Sequence, residues 1–259
     1  MRMTLLLITL MVSSVRLVAA DSGSDRPEAF AYELQRLAPR PGKRDALLDW
    51  LRARGDEVAR RHGVAGVACL VPAGDDPAGE VLWLTRCQTA NAATARGALR
   101  ADAECRRIDP AAGEAESLVA KVESMALVPT AYSPVFAPAV SAEPRVFELR
   151  TYTCPSPEKR ALLDDRFREH TMALFQKHGM QNLVYWHPVG VEGGERKLVY
   201  LLGHASVDAA RESFAAFRKD PDWLAAKEAS EAKAGGSLTE KERGVISEFF
   251  LATGFSPLQ

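Results

Sequence analysis

A short alternating stretch, Arg145-Val-Phe-Glu-Leu-Arg-Thr-Tyr152, sets an acid, a guanidinium and a phenol two residues apart. In an extended chain that spacing puts Glu148, Arg150 and Tyr152 on one face, and Phe147 and Leu149 on the other. A face of that kind is either solvated or lines a polar cavity. If it is buried, the carboxylate and the guanidinium must be paired. Glu148 and Arg150 therefore read as an ion pair closing a core or as a clamp on a ligand, with the Tyr152 hydroxyl joining either. Further on, Tyr185, Trp186 and His187 are adjacent, His204 ends a later segment, and Trp223 follows Asp220-Pro221-Asp222. Glu148, Arg150, Tyr152, Tyr185, Trp186, His187, His204 and Trp223 together form the candidate ligand-binding set.

No catalytic residue is assigned. The glycines form no G-x-G-x-x-G or G-x-x-x-x-G-K cradle, no G-x-S-x-G elbow is present, and no cysteine and histidine share a context that would activate a nucleophile. Should a reaction take place, Tyr152, His187 and His204 are the groups with a proton to move. His187 and His204 approach each other if their strands form a hairpin, but two histidines without a third ligand do not make a metal centre. Neither a metal nor a cofactor is expected.

The elements that carry these residues occur twice. Tyr32-Glu33-Leu34 returns as Phe147-Glu148-Leu149, and Ala46-Leu-Leu-Asp49 as Ala161-Leu-Leu-Asp164. His62-Gly63-Val64 returns as His178-Gly179-Met180, and Pro129-Thr-Ala-Tyr-Ser-Pro134 as Ala252-Thr-Gly-Phe-Ser-Pro257. The offset is 115 between positions 32 and 147 and 123 between 129 and 252, so insertions are small. Such spacing is the mark of an internal repeat. It predicts a first unit over 29–134, a linker over 135–144 stiffened by Pro138 and Pro144, and a second unit over 145–259.

In the first unit, strands are expected at 29–37, 64–71, 80–87 and 119–128. One helix runs to His62, with Leu47, Leu48, Leu51 and Val58 on one stripe and Gly63 as its left-handed cap. A second helix spans 90–103. The second unit repeats the order with strands at 145–153, 182–188, 196–204 and 245–252 and a helix over 158–178. Another helix opens at Ser206, and a further one restarts at Asp220-Pro221, where Asp caps and Pro takes the first helical position. The order β-α-β-β-α-β, twice, is an α+β chain of two ferredoxin-like units, each an antiparallel sheet with helices on one face. The open faces are expected to bury each other, with Glu148 and Tyr152 looking into the shared interior.

The copies differ in content. Tyr152 stands against Leu37, Arg150 against Gln35, Tyr185 against Cys69, Trp186 against Leu70 and Trp223 against Cys105, while Glu148 keeps Glu33. Either the second copy holds a single asymmetric pocket, or it has a bulkier core. His178, which precedes Gly179, is expected to meet the last carbonyls of its helix, as His62 does in the other copy.

Lys plus Arg (33) nearly balances Asp plus Glu (34), which provides no global field for nucleic acid or an anionic surface. The first 20 residues read as a signal peptide: Arg2, an apolar run Leu5 to Val12, and a small-residue cleavage site Val18-Ala19-Ala20. The mature chain is then exported, periplasmic or extracellular, with a polar leader at 21–28 and no membrane span. Cys69, Cys87, Cys105 and Cys154 are expected as free core thiols, since a chain this long does not need disulfide staples.

Phe147-Glu-Leu-Arg-Thr-Tyr152, His178-Gly-Met180, Tyr185-Trp186, Asp220-Pro-Asp-Trp223 and Thr253-Gly-Phe-Ser-Pro257 resemble sequences of the NIPSNAP family, the second copy more closely than the first. The resemblance implies a dimeric α/β-barrel fold built from paired ferredoxin-like units, and it brings no catalytic residues. Three classes of function stay open. One is non-catalytic binding of a small, partly apolar ligand or a protein partner. A second is an enzyme like other dimeric α/β-barrels, which include cofactor-independent oxygenases, haem-handling proteins and lyases. The third is an assembly role, with the chain either a monomer carrying an internal pseudo-dimer or a homo-oligomer.

Overall fold

A computed structural model describes residues 30–74, 79–141 and 145–259. The expected signal peptide and leader, and the end of the expected linker, lie outside these residues. Eight strands close into one antiparallel barrel in the order β1-β3-β2-β8-β5-β7-β6-β4. The first half supplies β1 (Phe30–Pro39), β2 (Val64–Pro72), β3 (Val81–Gln88) and β4 (Val119–Pro129), and the second supplies β5 (Val146–Thr153), β6 (Gln181–Val189), β7 (Lys197–His204) and β8 (Val245–Ala252). Within each half the first strand lies between the last and the third, as β4-β1-β3-β2 and as β8-β5-β7-β6. The two sheets join at their edges, β2 to β8 and β4 to β6. No sheet edge is left unpaired in a closed barrel.

The helices follow the expected stripes. Helix α1 runs through Arg44–Trp50, a π-helical turn at Leu51–Gly55, and Asp56–Arg61. Helix α2 is Ala92–Ala101. Helix α3 runs through Pro157–Arg166, a π-helical turn at Phe167–Thr171, and Met172–Lys177, while α4 is Val207–Phe217 and α5 is Pro221–Lys233. The second-half helices start on side-chain caps: Ser156 accepts from the Lys159 N–H, Ser206 from Ala209 and Asp220 from Asp222. Each such cap contributes about 1 kcal/mol. Lys43, ahead of α1, provides no side-chain cap. Gly63 and Gly179 end α1 and α3 at φ of +71° and +77°, a conformation that glycine adopts without a Cβ penalty.

His62 and His178 do not turn back to their own helices. His62 Nε2 lies 2.8 Å from Asp102, and His178 Nε2 2.7 Å from Asp220. Both aspartates cap the next helical segment, so an acceptor that already faces helix N–H groups outcompetes the terminal carbonyls. The four cysteines are buried and free. No helix among the described residues is long and apolar enough to cross a membrane.

Side chains alternate between the lumen and the helix layers. Tyr32, Leu34, Leu84, Leu127, Phe147, Leu149, Trp186, Leu201 and Phe250 fill the lumen. Eight strands leave room for side chains rather than a pore. At one end Arg36 closes the lumen by donating to Glu248 at 2.5 and 3.0 Å, with Glu80 3.4 Å away. The helix layers are separate cores. The first half packs Leu37, Leu47, Leu51, Val58, Trp83 and Leu99, and the second packs Phe167, Phe175, Tyr185, Tyr200, Phe214 and Phe217.

That alternation corrects one expectation. The faces left open by the helices do bury each other, but they are the apolar ones. Phe147 and Leu149 look into the lumen, while Glu148, Arg150 and Tyr152 look at the helices of their own half. A narrow lumen excludes water, so apolar residues take it, and the charged face goes where helix side chains can pair with it.

Candidate functional site

The second half gathers most of the candidate set into one packed cluster. Glu148, 1% exposed, accepts from Arg150 (2.5 Å), Ser247 (2.5 Å) and His204 (3.0 Å). Burial alone would raise its pKa, but the bond from His204, the Arg150 charge and the Ser247 hydroxyl outweigh it and hold the carboxyl below its usual range. The Arg150 guanidinium lies over the Phe214 ring at 4.4 Å and donates to the Tyr152 hydroxyl at 3.4 Å. Tyr152 meets Phe167 and Tyr200 edge-on, and Tyr185 stacks on Tyr200 with centroids 5.0 Å apart. The Tyr185 hydroxyl donates to Asn182. The ion-pair reading of Glu148 and Arg150 thus describes the geometry, within a helix-covered core.

The remaining candidates lie apart. Trp186 points into the lumen, 5.6 Å from Tyr32 and 6.3 Å from Phe136. His187 sits between Asp164 (3.1 Å) and Arg160 (2.5 Å) outside it. Trp223 packs at a tilt against Phe217, centroids 4.4 Å apart, and carries the buried Arg166 guanidinium on its face at 4.9 Å. β6 and β7 do form a hairpin, but its antiparallel register pairs Trp186 with Val199 and Gln181 with Gly203. His187 and His204 therefore stand at opposite ends of it. Among the described residues no three His, Cys, Asp or Glu side chains converge as metal ligands.

Space appears at the equivalent place in the first half. A cavity of about 250 Å³ lies between the sheet and α2, walled by Glu33, Gln35, Trp83, Val122 and Ser124 from the strands. Arg96, Leu99 and Arg100 cover it from α2, and Cys105, Ile108 and Pro110 from the turns that follow. Register explains the match between the halves. Gln35 pairs with Trp83 and Ser124 where Arg150 pairs with Tyr200 and Ser247. Arg150 and Tyr200 fill the space over the second sheet, whereas the shorter Gln35 leaves it open over the first. Glu33, 4% exposed, accepts from Arg100 at 2.5 Å and lies 3.5 Å from Arg96, which donates to the Tyr32 carbonyl. Gln35 reaches Ser124 at 3.5 Å, a marginal bond that leaves its amide facing the cavity. Burial raises the Cys105 thiol to about 11, so it is a neutral wall and no nucleophile.

Sequence reasoning paired Gln35 with Arg150 but credited the chemistry to the larger residue. The signal for the cavity was the pair of small residues Ala92 and Ala95 beside Leu99 on the sheet face of α2, with Arg96 and Arg100 next to them. Phe136 was missed as well. It falls in the expected linker, yet it is 6% exposed and packs against Tyr32 and Trp186 in the lumen.

Solved structures share the whole barrel. A provisionally assigned monooxygenase from Lactobacillus acidophilus NCFM superposes with a TM-score of 0.52 at 10% identity, covering 87% of this chain and 94% of its own. An anthrone oxidase-like protein gives 0.54 at 14% identity, covering 88% and 92%. A NIPSNAP family protein from Agrobacterium tumefaciens str. C58 gives 0.38 at 21% identity, covering 48% of this chain and all of its own. At these identities the likeness concerns the fold alone, that of the dimeric α/β-barrels. Among curated proteins none matches the sequence. The NIPSNAP family profile matches residues 147–257, which begin in β5 and end in the tail after β8. That match falls on the second half of the barrel, where the motifs around Glu148, His178 and Trp223 pointed.

Proposed function

We propose that the chain is a non-catalytic binding protein that holds a small, partly apolar molecule between the first-half sheet and α2. The observation that carries this reading is the cavity of about 250 Å³ whose apolar walls, Trp83, Leu99, Ile108 and Val122, surround the Gln35 amide and the Glu33–Arg96–Arg100 group. Apolar walls with a few convergent polar groups are what small-molecule sites consist of, and a volume just below the usual range of about 300–1,000 Å³ limits the occupant to a small molecule. Arg96 and Arg100 are matched in the lining by Glu33 and Asp109, which favours an uncharged ligand whose polar group bonds the Gln35 amide. Names such as monooxygenase and anthrone oxidase-like, borne by proteins with the same fold, raise the enzyme reading. The cavity supports it poorly: its one thiol is neutral and no histidine lines it. Haem does not fit, because the space is smaller than a porphyrin and its counterpart in the second half is occupied by Arg150, Phe214 and Tyr200.

The second half supplies the test. Leu99→Phe together with Gln35→Arg copies the filling found there. Screening metabolites by thermal shift should find a ligand that stabilises the native protein and has no effect on the double variant, whose own melting temperature stays close to wild type. A ligand that binds both equally would place its site elsewhere and end this reading. Export forms part of the proposal and rests on Arg2, the Leu5 to Val12 run and Val18-Ala19-Ala20. N-terminal sequencing of secreted protein should begin at Asp21, and full-length protein retained inside the cell would refute it.

A further inference from the structure

The end of the lumen opposite the Arg36–Glu248 closure is not filled. A recess of about 580 Å³ opens there, lined by Phe30, Tyr32, Val128, Pro129, Phe136 and Val184, with Arg86 among them. Arg86 follows from the alternation that governs the barrel: it pairs with Tyr32 across β1 and β3, and both point inward. Its guanidinium lies 4.4 Å above the Phe30 ring and donates to the Phe136 carbonyl at 3.3 Å. Among the described residues no carboxylate pairs with it. The opposite end of the same lumen shows the contrast, since Arg36 has two acids, Glu248 and Glu80. A cation flanked by aromatic rings and one phenol, facing apolar walls without an acid, is complementary to a molecule with an apolar body and a single negative end.

We infer that this recess is a second binding site, separate from the first-half cavity, and that it takes an aromatic or branched monocarboxylate. The carboxylate meets Arg86 and the Tyr32 hydroxyl, and the apolar body lies against Phe136, Val128 and Val184. Its volume falls in the range of small-molecule sites, about 300–1,000 Å³. The Tyr32 hydroxyl stays protonated and able to donate, because burial raises its pKa further than Arg86 lowers it. The inference does not depend on the proposed function, which concerns a different face of the sheet.

Two tryptophans separate the sites. Trp186 lies 5.6 Å from Tyr32 behind the recess, whereas Trp83 is part of the wall of the first-half cavity. The full chain would be titrated with arylcarboxylates of increasing size, from benzoate to 4-tert-butylbenzoate, and with the matching neutral amides, while tryptophan emission is followed. The expected result is a saturable change that persists in Trp83→Phe and vanishes in Trp186→Phe. Arg86→Gln should weaken the acids about tenfold or more, the loss of a charge-assisted bond, and leave the amides unchanged. Amides that bind as tightly as acids, or no saturable binding by any acid when calorimetry is used in place of emission, would overturn the inference. So would a signal that tracks Trp83, which would assign the acid to the first-half cavity and leave the proposed function standing. If removal of residues 1–28 is required before any acid binds, the chain's own N-terminal segment is the occupant and the inference is wrong.

Discussion

The two halves of the barrel share a strand order, a helix order and a buried glutamate, yet one is filled where the other is hollow. In the second half Glu148 draws its partner from its own strand, and that partner, Arg150, lies over the face of the Phe214 ring and beside Tyr200. In the first half Glu33 draws Arg100 from the helix above, and 61% of that arginine side chain remains exposed. One charge pair is sealed beneath aromatic rings and the other bridges a cavity. The difference teaches that a sheet-on-helix interface of this kind can invest its polar residues either in holding the layers together or in leaving a place for a ligand. The bulk of residues 35/150 and 99/214 decides which.

The strongest way to break this comparison is to remove each glutamate. Glu148→Ala should cost about 3–5 kcal/mol in denaturant unfolding, because it strands the buried Arg150 cation. Glu33→Ala should cost less, about 1–2 kcal/mol, since Arg100 turns to water and only the more distant Arg96 is left without its carboxylate. Equal losses would mean that the two pairs are equally sealed. Acid sharpens the contrast. The folded-state pKa of Glu148 lies below its unfolded value, so its contribution is complete above the ordinary carboxylate range, near pH 4, and is lost as pH falls through the lower folded value. Glu148→Gln should therefore flatten the fall in stability below about pH 4.

A smaller effect is expected from opening the filled half. Phe214→Leu removes the ring beneath Arg150 and leaves space matching that beside Leu99. It should cost about 1–3 kcal/mol, read from chemical denaturation, and the variant should bind small solutes that the wild-type second half excludes. A loss below about 0.5 kcal/mol would mean that the helix layer collapses around the gap, and that the hollow in the first half depends on more than residue size.

Strand alternation, helix stripes and glycine caps are local, which is why element order and the paired ferredoxin-like units were legible from sequence. Glu33 and Glu148 both lie on the first strand of their half, and His62 and His178 each face an aspartate that caps a later helical segment. What the period could not reveal was sign. Alternation says that Glu148 and Leu149 face opposite ways, but which face meets the helices depends on the closure of the barrel and the exclusion of water from its lumen. The first-half cavity was hidden for the same reason. Large residues such as Arg150, Tyr185 and Trp223 are conspicuous in a sequence, whereas a cavity is made by what is missing, here the bulk that Gln35, Ala95 and Leu99 do not supply. Partner choice, as in His178 with Asp220, is non-local and equally invisible.

The smallest expected effect tests how finely the filled half is tuned. Tyr200 is completely buried, stacked on Tyr185 and packed edge-on against Phe167, and among the described residues its hydroxyl has only the neighbouring Tyr152 side chain close by, with no well-formed hydrogen bond. Its ring contributes packing, while its oxygen contributes a desolvation cost that the weak contact with Tyr152 offsets only in part. Tyr200→Phe keeps the ring and removes that cost, so the melting temperature should hold or rise slightly, by an amount worth at most about 1 kcal/mol. The same substitution at Tyr185, whose hydroxyl donates to Asn182, should destabilise by about 1 kcal/mol. If Tyr200→Phe instead destabilises as Tyr185→Phe does, the hydroxyl is satisfied by a bound water, and the second half holds a hydrated pocket of its own rather than a solid core.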